Sequence, residues 1–225
     1  PERERAFTMQ ELLIDIGAKN KEEAERLVKL GECAYFTTKY EEIGNGKIKA
    51  KALDDRVGCE LAIRLLQEDV SFPLIAAFTV QEEVGLRGAG VATYQVKPDL
   101  ALVLEGTTAS DVPGTDEHKH ATTLGEGPCI TVIDRVSIPY PPLVQELFAL
   151  AEEEGIKVQV RRNTAGGTDA GRIQLTEEGV KVATIAVPCR YIHSPVSVMS
   201  KDDYEGAYKL VKRYLKQLQE REASN

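Results

Sequence analysis

The sequence predicts a layered α/β fold with a largely parallel sheet, and three observations carry that reading. Short continuous apolar runs recur, PLIAAFTV at 73–80, DLALVLE at 99–105 and KVATIAVP at 181–188. Their lack of polar alternation marks strands covered on both faces. Between the runs lie stretches whose apolar residues recur three and four positions apart, the period of a helix packed on one side. The 225-residue length and 42% apolar content suit one principal core rather than a disordered or fibrous chain.

The elements follow in order. Asn20 with Glu23 makes a capping-box-like start for a helix over 20–30, striped by Ala24, Leu27, Val28 and Leu30 and stopped at Gly31. Gly44, Asn45 and Gly46 place a hairpin or loop at 42–47, and a helical pattern runs over 56–67. Strand 73–80 leads to a helix at 86–95 and strand 99–105. Strand 128–134 leads to a helix at 142–154 with apolar positions 143, 144, 147, 148 and 151, and then come strand 156–160, a helix near 169–178 and strand 181–188. A closing helix is capped by Ser200 and Asp203 and striped by Tyr204, Ala207, Val211, Tyr214, Leu215 and Leu218.

Composition narrows the function. With 36 acidic against 28 basic residues the net charge is −8, and no block of Lys or Arg offers a surface for nucleic acid or an anionic membrane. No apolar stretch approaches the roughly 20 residues of a membrane span. The charged opening PERERAFTMQELL is unlike a secretory signal, so a cytoplasmic location is expected. Cys33, Cys59, Cys129 and Cys189 are far apart and read as buried thiols.

Ligands of open α/β sheets gather at the carboxyl ends of strands. Four places there carry chemistry: Glu82-Glu83 after 73–80, Glu105 after 99–104, His193 after 181–188, and Asp54-Asp55 opening a helix. Carboxylates and an imidazole at one rim suit an open zinc or cobalt site, with one glutamate of the pair left as a base. Each also has an ordinary reading alone. Asp54 and Asp55 would favour a helix N-terminus by about 0.3–1 kcal/mol, Glu82 and Glu83 would form a solvated turn, and His193 would be a hydrogen-bonded core histidine. His118 and His120 lie in a polar loop and are expected to be exposed.

The combination changes the weighing. ALDDRVG (52–58), QEEVGLRGA (81–89), LEGTTASDVPG (104–114), GGTDAG (166–171) and YIHSP (191–195) together resemble the tetrahedral, TET-type dinuclear metallo-aminopeptidases, which include glutamyl and deblocking enzymes. The resemblance implies a three-layer α/β/α zinc-peptidase domain of the phosphorylase/hydrolase-like kind, with a mixed, largely parallel sheet. It implies Asp54 as the ligand bridging two divalent ions, Glu82 as catalytic base, Glu83 and His193 on one ion and Glu105 on the other. It also implies a cis peptide between Asp54 and Asp55, and a pocket for the substrate's N-terminal side chain lined by Gly167, Thr168 and Asp169.

The family also begins with a further segment, containing an H-x-D histidine of the second ion site and an inserted β-barrel dimerisation domain. Neither is in this sequence, so residues 1–225 are expected to be the carboxyl-terminal portion of the catalytic domain, with the Asp54–Glu105 ion site incomplete. The expected activity is removal of N-terminal residues from short peptides by a homo-oligomer. An inactive structural or assembly remnant is the alternative, and an endoglucanase fits less well, since 6% aromatic residues and no Trp leave little for sugar stacking. Arg161, Arg162 and Arg190 are possible sources of a preference for acidic N-terminal residues.

Overall fold

A computed structural model of the chain describes residues 5–224, which divide into two compact units between Phe36 and Thr37. In the first unit Thr8 and Glu11 cap a single 3-10 turn. Helix α1 (Lys21–Leu27) starts at Asn20, whose side chain accepts from the Glu23 N–H at 2.9 Å. It stops short of the expected residue 30 because Val28 turns extended. The expected apolar stripe is not buried: Leu27, Val28 and Leu30 are all exposed.

The second unit carries one mixed sheet. Strands β1 (Glu41–Ile43) and β2 (Lys47–Ala50) form the expected hairpin. β2 pairs antiparallel with β7 (Ser197–Ser200), and β7 with the end of β6 (Lys181–Arg190). The longest ladder is parallel, joining β3 (Leu100–Thr108) to β6 through nine register pairs, Leu100↔Lys181 to Thr108↔Cys189. The opposite edge of β6 also carries β4 (Cys129–Ile130), antiparallel, which runs parallel to β5 (Gln159–Val160).

Helices cover both faces. Helix α2 (Leu53–Leu65) buries Leu53, Val57, Leu61 and Leu65 at a spacing of four, and α4 (Pro141–Glu153) buries Leu143, Leu147 and Leu150. The closing helix α6 (Lys201–Glu222) buries Ala207, Leu210, Val211 and Tyr214. All three pack on Ala183, Ile185, Val187 and Cys189 of β6. The intervening Val182 joins Val103 of β3 in a second cluster with Ala170 of the short α5 (Ala170–Ile173), against which α3 (Arg87–Val96) lies. β6 is therefore apolar on both faces, which is why its sequence shows no alternation.

Several expectations are corrected. Residues 73–80 form no strand and pair with none among the described residues, and Ile75, Phe78 and Val80 are exposed. An apolar run specifies an extended chain, while pairing also needs a free edge alongside it. Strand 128–134 contracts to two residues because the Asp134 carboxylate takes the Val136 and Ser137 N–H groups, both at 2.7 Å, and turns the chain. Strand 156–160 likewise keeps only its end, matching the short β4. The helix at 169–178 is one turn, followed by non-helical turns.

Cys33 is exposed and Cys59 half-buried, whereas Cys129 and Cys189 are buried as expected, and burial pushes the Cys129 thiol up to about 12. Ser200 caps α6 through the Asp202 N–H, but Asp203 faces inward and accepts from the Gly125 and Gly127 N–H groups at 2.7 and 2.8 Å.

At the end of β6 the Arg190 guanidinium donates to both Asp111 oxygens, at 2.8 and 2.7 Å, and the Leu124 N–H donates to the same carboxylate at 3.0 Å. Burial raises the Asp111 pKa, but Arg190 and the Leu124 amide outweigh it and hold the carboxyl below its ordinary value. A carboxyl with a depressed folded pKa contributes stability above its unfolded pKa and loses it as pH falls through the folded value. Asp111→Asn is therefore expected to destabilise by about 2 kcal/mol at neutral pH. Urea unfolding across pH should show the gap between variant and parent closing below about pH 4.

Candidate functional site

The helix α2 opens irregularly. Ala52 is left-handed at φ 50°, Asp54 and Asp55 leave helical geometry, and the peptide between them is cis, as the resemblance implied. The Asp55 carboxylate accepts from the Gly58 N–H at 2.9 Å, closing the first turn. Two glycines let this corner sit against β3. A Cβ at Gly58 would lie 2.0 Å from the Leu104 carbonyl oxygen, and one at Gly106 would meet Asp54 Cβ at 3.1 Å. The backbones approach closely enough to bring Asp54 beside Glu105, which β3 buries to 9% exposure.

The two adjacent glutamates sit on a loop closed by the Gly88 N–H donating to the Val80 carbonyl and the Leu86 N–H to the Glu82 carbonyl, both at 2.9 Å. Left-handed Gln81 and Leu86 bend it. His193 also lies at a left-handed position, in the loop between β6 and β7. There the Ser194 and Ser197 hydroxyls lie within hydrogen-bonding reach of the Tyr191 carbonyl, 2.6 and 3.3 Å away.

These loops converge. His193 Nε2 lies 3.3 Å from Asp54 Oδ2 and 3.2 Å from Glu83 Oε2. One ligand atom from each of the three falls within 4.8 Å of the others, the only group of three or more such residues among the described ones. All three border a cavity of about 370 Å³ shared with Glu82 and Glu105. Glu105 belongs to the same wall but not to the three-atom group. Gly167 and Thr168 line the cavity too. Asp169, expected beside them, is not in the lining: its Oδ2 accepts from Thr79 Oγ1 at 2.5 Å, so it braces the segment leading to Glu82.

The like charges show in the titration. Burial, then Glu83, pushes Asp54 up to about 6, and burial with Glu83, Asp169 and Asp54 nearby pushes Glu82 up to about 7. Burial, with Asp55 and Asp54 next, holds Glu105 well above the carboxylate range. His193, beside Asp54 and Glu83, works against these effects and lowers the pKa of both Asp54 and Glu82.

His118 is exposed as expected, while His120 is half-buried, its ring nitrogens near the Thr115 carbonyl and the Thr123 hydroxyl. Neither joins the three-ligand group. Of the three arginines singled out in the sequence, Arg190 is held by Asp111, Arg162 donates to the Glu117 carbonyl, and Arg161 borders the cavity. Sequence reading missed Arg135, which also borders it. The signal was present: Arg135 follows the apolar run at 128–134, where the strand-end rule points.

Comparison with known proteins agrees over most of the chain. A family model described as M42 glutamyl aminopeptidase matches residues 1–210. The lysyl aminopeptidase of Pyrococcus furiosus is 31% identical over 213 residues, 92% of this chain and 60% of its own length. A TET aminopeptidase structure from a marine-sediment Thaumarchaeota archaeon superposes with a TM-score of 0.91 at 38% identity, over 96% of this chain and 63% of that one. A Pyrococcus horikoshii TET1 peptidase, described as assembling into a tetrahedron or a large octahedral shell, gives 0.76 at 33% identity, over 89% and 59%. The chain spans 59–61% of the length of four curated relatives that it matches.

The donor set fits a divalent ion. Two carboxylates and an imidazole converge, and three protein ligands leave a position open for water. Zinc at a hundredfold excess over its Kd is expected to stabilise the parent by about 2.7 kcal/mol. Thermal unfolding checks this as a rise of several degrees, which Glu83→Gln or His193→Ala should abolish.

Proposed function

Since the chain belongs to the M42 glutamyl aminopeptidase family, we propose that it carries the reaction centre of a metal-dependent aminopeptidase that releases N-terminal residues from short peptides. The observation that carries this reading is the approach of His193 Nε2 to both Asp54 and Glu83, with Glu82 in the same cavity and outside the three-ligand group.

In this reading Asp54 would be the ligand common to two divalent ions, zinc or cobalt, with Glu83 and His193 holding one and Glu105 the other, which would have fewer of this chain's ligands. Such ions supply Lewis acidity toward water and the scissile carbonyl. Glu82 accepts the proton of the attacking water and delivers it to the leaving amine. A carboxyl whose pKa lies near 7 can do both, and a cation held by Asp54 and Glu83 would offset the like charges that, after burial, raise Glu82. The acidic rim attracts the substrate's α-ammonium. Gly167 and Thr168 border the space for its N-terminal side chain, and Asp169 positions Glu82 through Thr79.

A homo-oligomer belongs to the same reading, supported by the assembling TET1 peptidase, as does a cytoplasmic location. No described helix is long and apolar enough to cross a membrane.

The test pairs ion content per chain with hydrolysis of aminoacyl p-nitroanilides after loading with zinc or cobalt. Glu82→Gln is expected to lower kcat by about 10²–10⁴-fold while ion content holds. Ions bound without Glu82-dependent turnover would sink the reading and favour an inactive structural remnant.

A further inference from the structure

The His193 ring is exposed and held by little. Its Nε2 faces Asp54 and Glu83, and among the described residues its Nδ1 has no hydrogen-bond partner. A metal-binding histidine ordinarily donates that second N–H to a carbonyl or carboxylate, which fixes the ring. Here the ring's place comes from its backbone. That backbone is itself unusual, because Tyr191 and His193 both lie in the left-handed region at φ 57°. Residues other than glycine keep that conformation only where their surroundings enforce it.

Two devices hold the turn. One is internal, the Ser194 and Ser197 hydroxyls gathered at the Tyr191 carbonyl. The other reaches outside. Arg190 closes β6 three residues before His193, and its Nε and Nη2 donate to separate oxygens of Asp111 at 2.8 and 2.7 Å. The Asp111 side chain is 5% exposed and also takes the Leu124 N–H. Asp111 lies just beyond the end of β3, and between strand and pair the Ala109 N–H donates to the Cys189 carbonyl at 2.9 Å. The contact therefore extends the β3–β6 pairing past its ladder, tying the strand that bears Glu105 to the one that leads into His193. A planar fork closed on both carboxylate oxygens fixes direction as well as distance, which a lysine would not.

We propose that Arg190 and Asp111 are positioning residues that hold the turn at 191–194 where His193 can share a divalent ion with Asp54 and Glu83. The proposal deepens the metal-dependent reading and rests on it. It is separable from the stability that the same pair contributes. A pair that only stabilised the fold would leave the folded chain's affinity for an ion unchanged.

Zinc titrated calorimetrically into the full chain distinguishes these roles. Arg190→Gln and Asp111→Asn are each expected to weaken zinc binding by about 10–100-fold. Combined, they should weaken it no further than the larger single loss, because either one opens the same clamp. Arg190→Lys should fall between the parent and Arg190→Gln. The visible absorption of bound cobalt, which reports the geometry of its ligands, should change in the two neutral variants at saturation. Arg213→Gln is the control. It removes ion pairs with Glu153, Glu154 and Glu220, outside the cavity, and should leave both readouts as in the parent.

Unchanged zinc affinity in both single variants, losses that multiply in the double variant, an unaltered cobalt spectrum, or an equal loss in Arg213→Gln overturns the proposal and leaves the aminopeptidase reading standing. A parent chain that binds no zinc sinks that reading and the proposal with it. Should the neutral variants lose the parent's circular dichroism spectrum, Arg190→Lys decides. It must weaken zinc binding by more than Arg213→Gln does, and no difference between the two overturns the proposal.

Discussion

Nine register pairs tie β3 to β6, and the candidate site hangs from the carboxyl ends of both strands. Glu105 is in the ladder itself, facing a wall the sheet has already dried. His193 follows β6 by three residues, so its loop inherits the strand's position. Asp54 is fixed at second hand, because α2 lies on β3 at a distance only Gly58 and Gly106 allow. A parallel ladder aligns the carboxyl ends of its strands, which is why residues 50 to 140 positions apart in sequence become neighbours without any local motif linking them.

That alignment gathers negative charge where folding alone would disperse it. Asp54, Glu82 and Glu105 are all pushed toward their neutral forms by burial and neighbouring carboxylates, and His193 lies against Asp54. A purely structural corner would exchange one of them for an amide or pair it with arginine. The chain has arginines at the same cavity and leaves them out of any such pair. Conflict between local comfort and residue choice marks a site under functional rather than structural constraint.

Much of this was legible beforehand, for identifiable reasons. β3 and β6 announce themselves as continuous apolar runs and α4 and α6 through a helical period of buried side chains, and both signals survive in sequence. Asp54, Glu82, Glu83, Glu105 and His193 were visible through the strand-end rule and the five motifs. What escaped depends on neighbours. Whether 73–80 becomes a strand is decided by an edge elsewhere, and whether 128–134 stays straight is decided by Asp134 capturing two amides. Asp169 looked like a pocket residue because GGTDAG holds it beside Thr168, yet one turn of α5 carries it behind the wall to Thr79. Arg135 was overlooked because a lone arginine in a turn carries no periodicity.

The brace from Asp169 to Thr79 has a bearing on motion. Residues 73–80 lack ladder bonds among the described residues, so their amides have few protected partners, whereas the ladder of β6 lies in the best-protected part of the core. Regions with few buried contacts and exposed backbone open at a free energy well below that of global unfolding. Glu82 lies between these regimes, three residues beyond the Thr79 hydroxyl and tied back through Val80 to Gly88. Amide exchange should therefore divide the cavity's rim into a slow side, built on β3 and β6, and a fast side, built on the glutamate loop. Glu82, the proposed base, therefore sits on the side expected to open more easily.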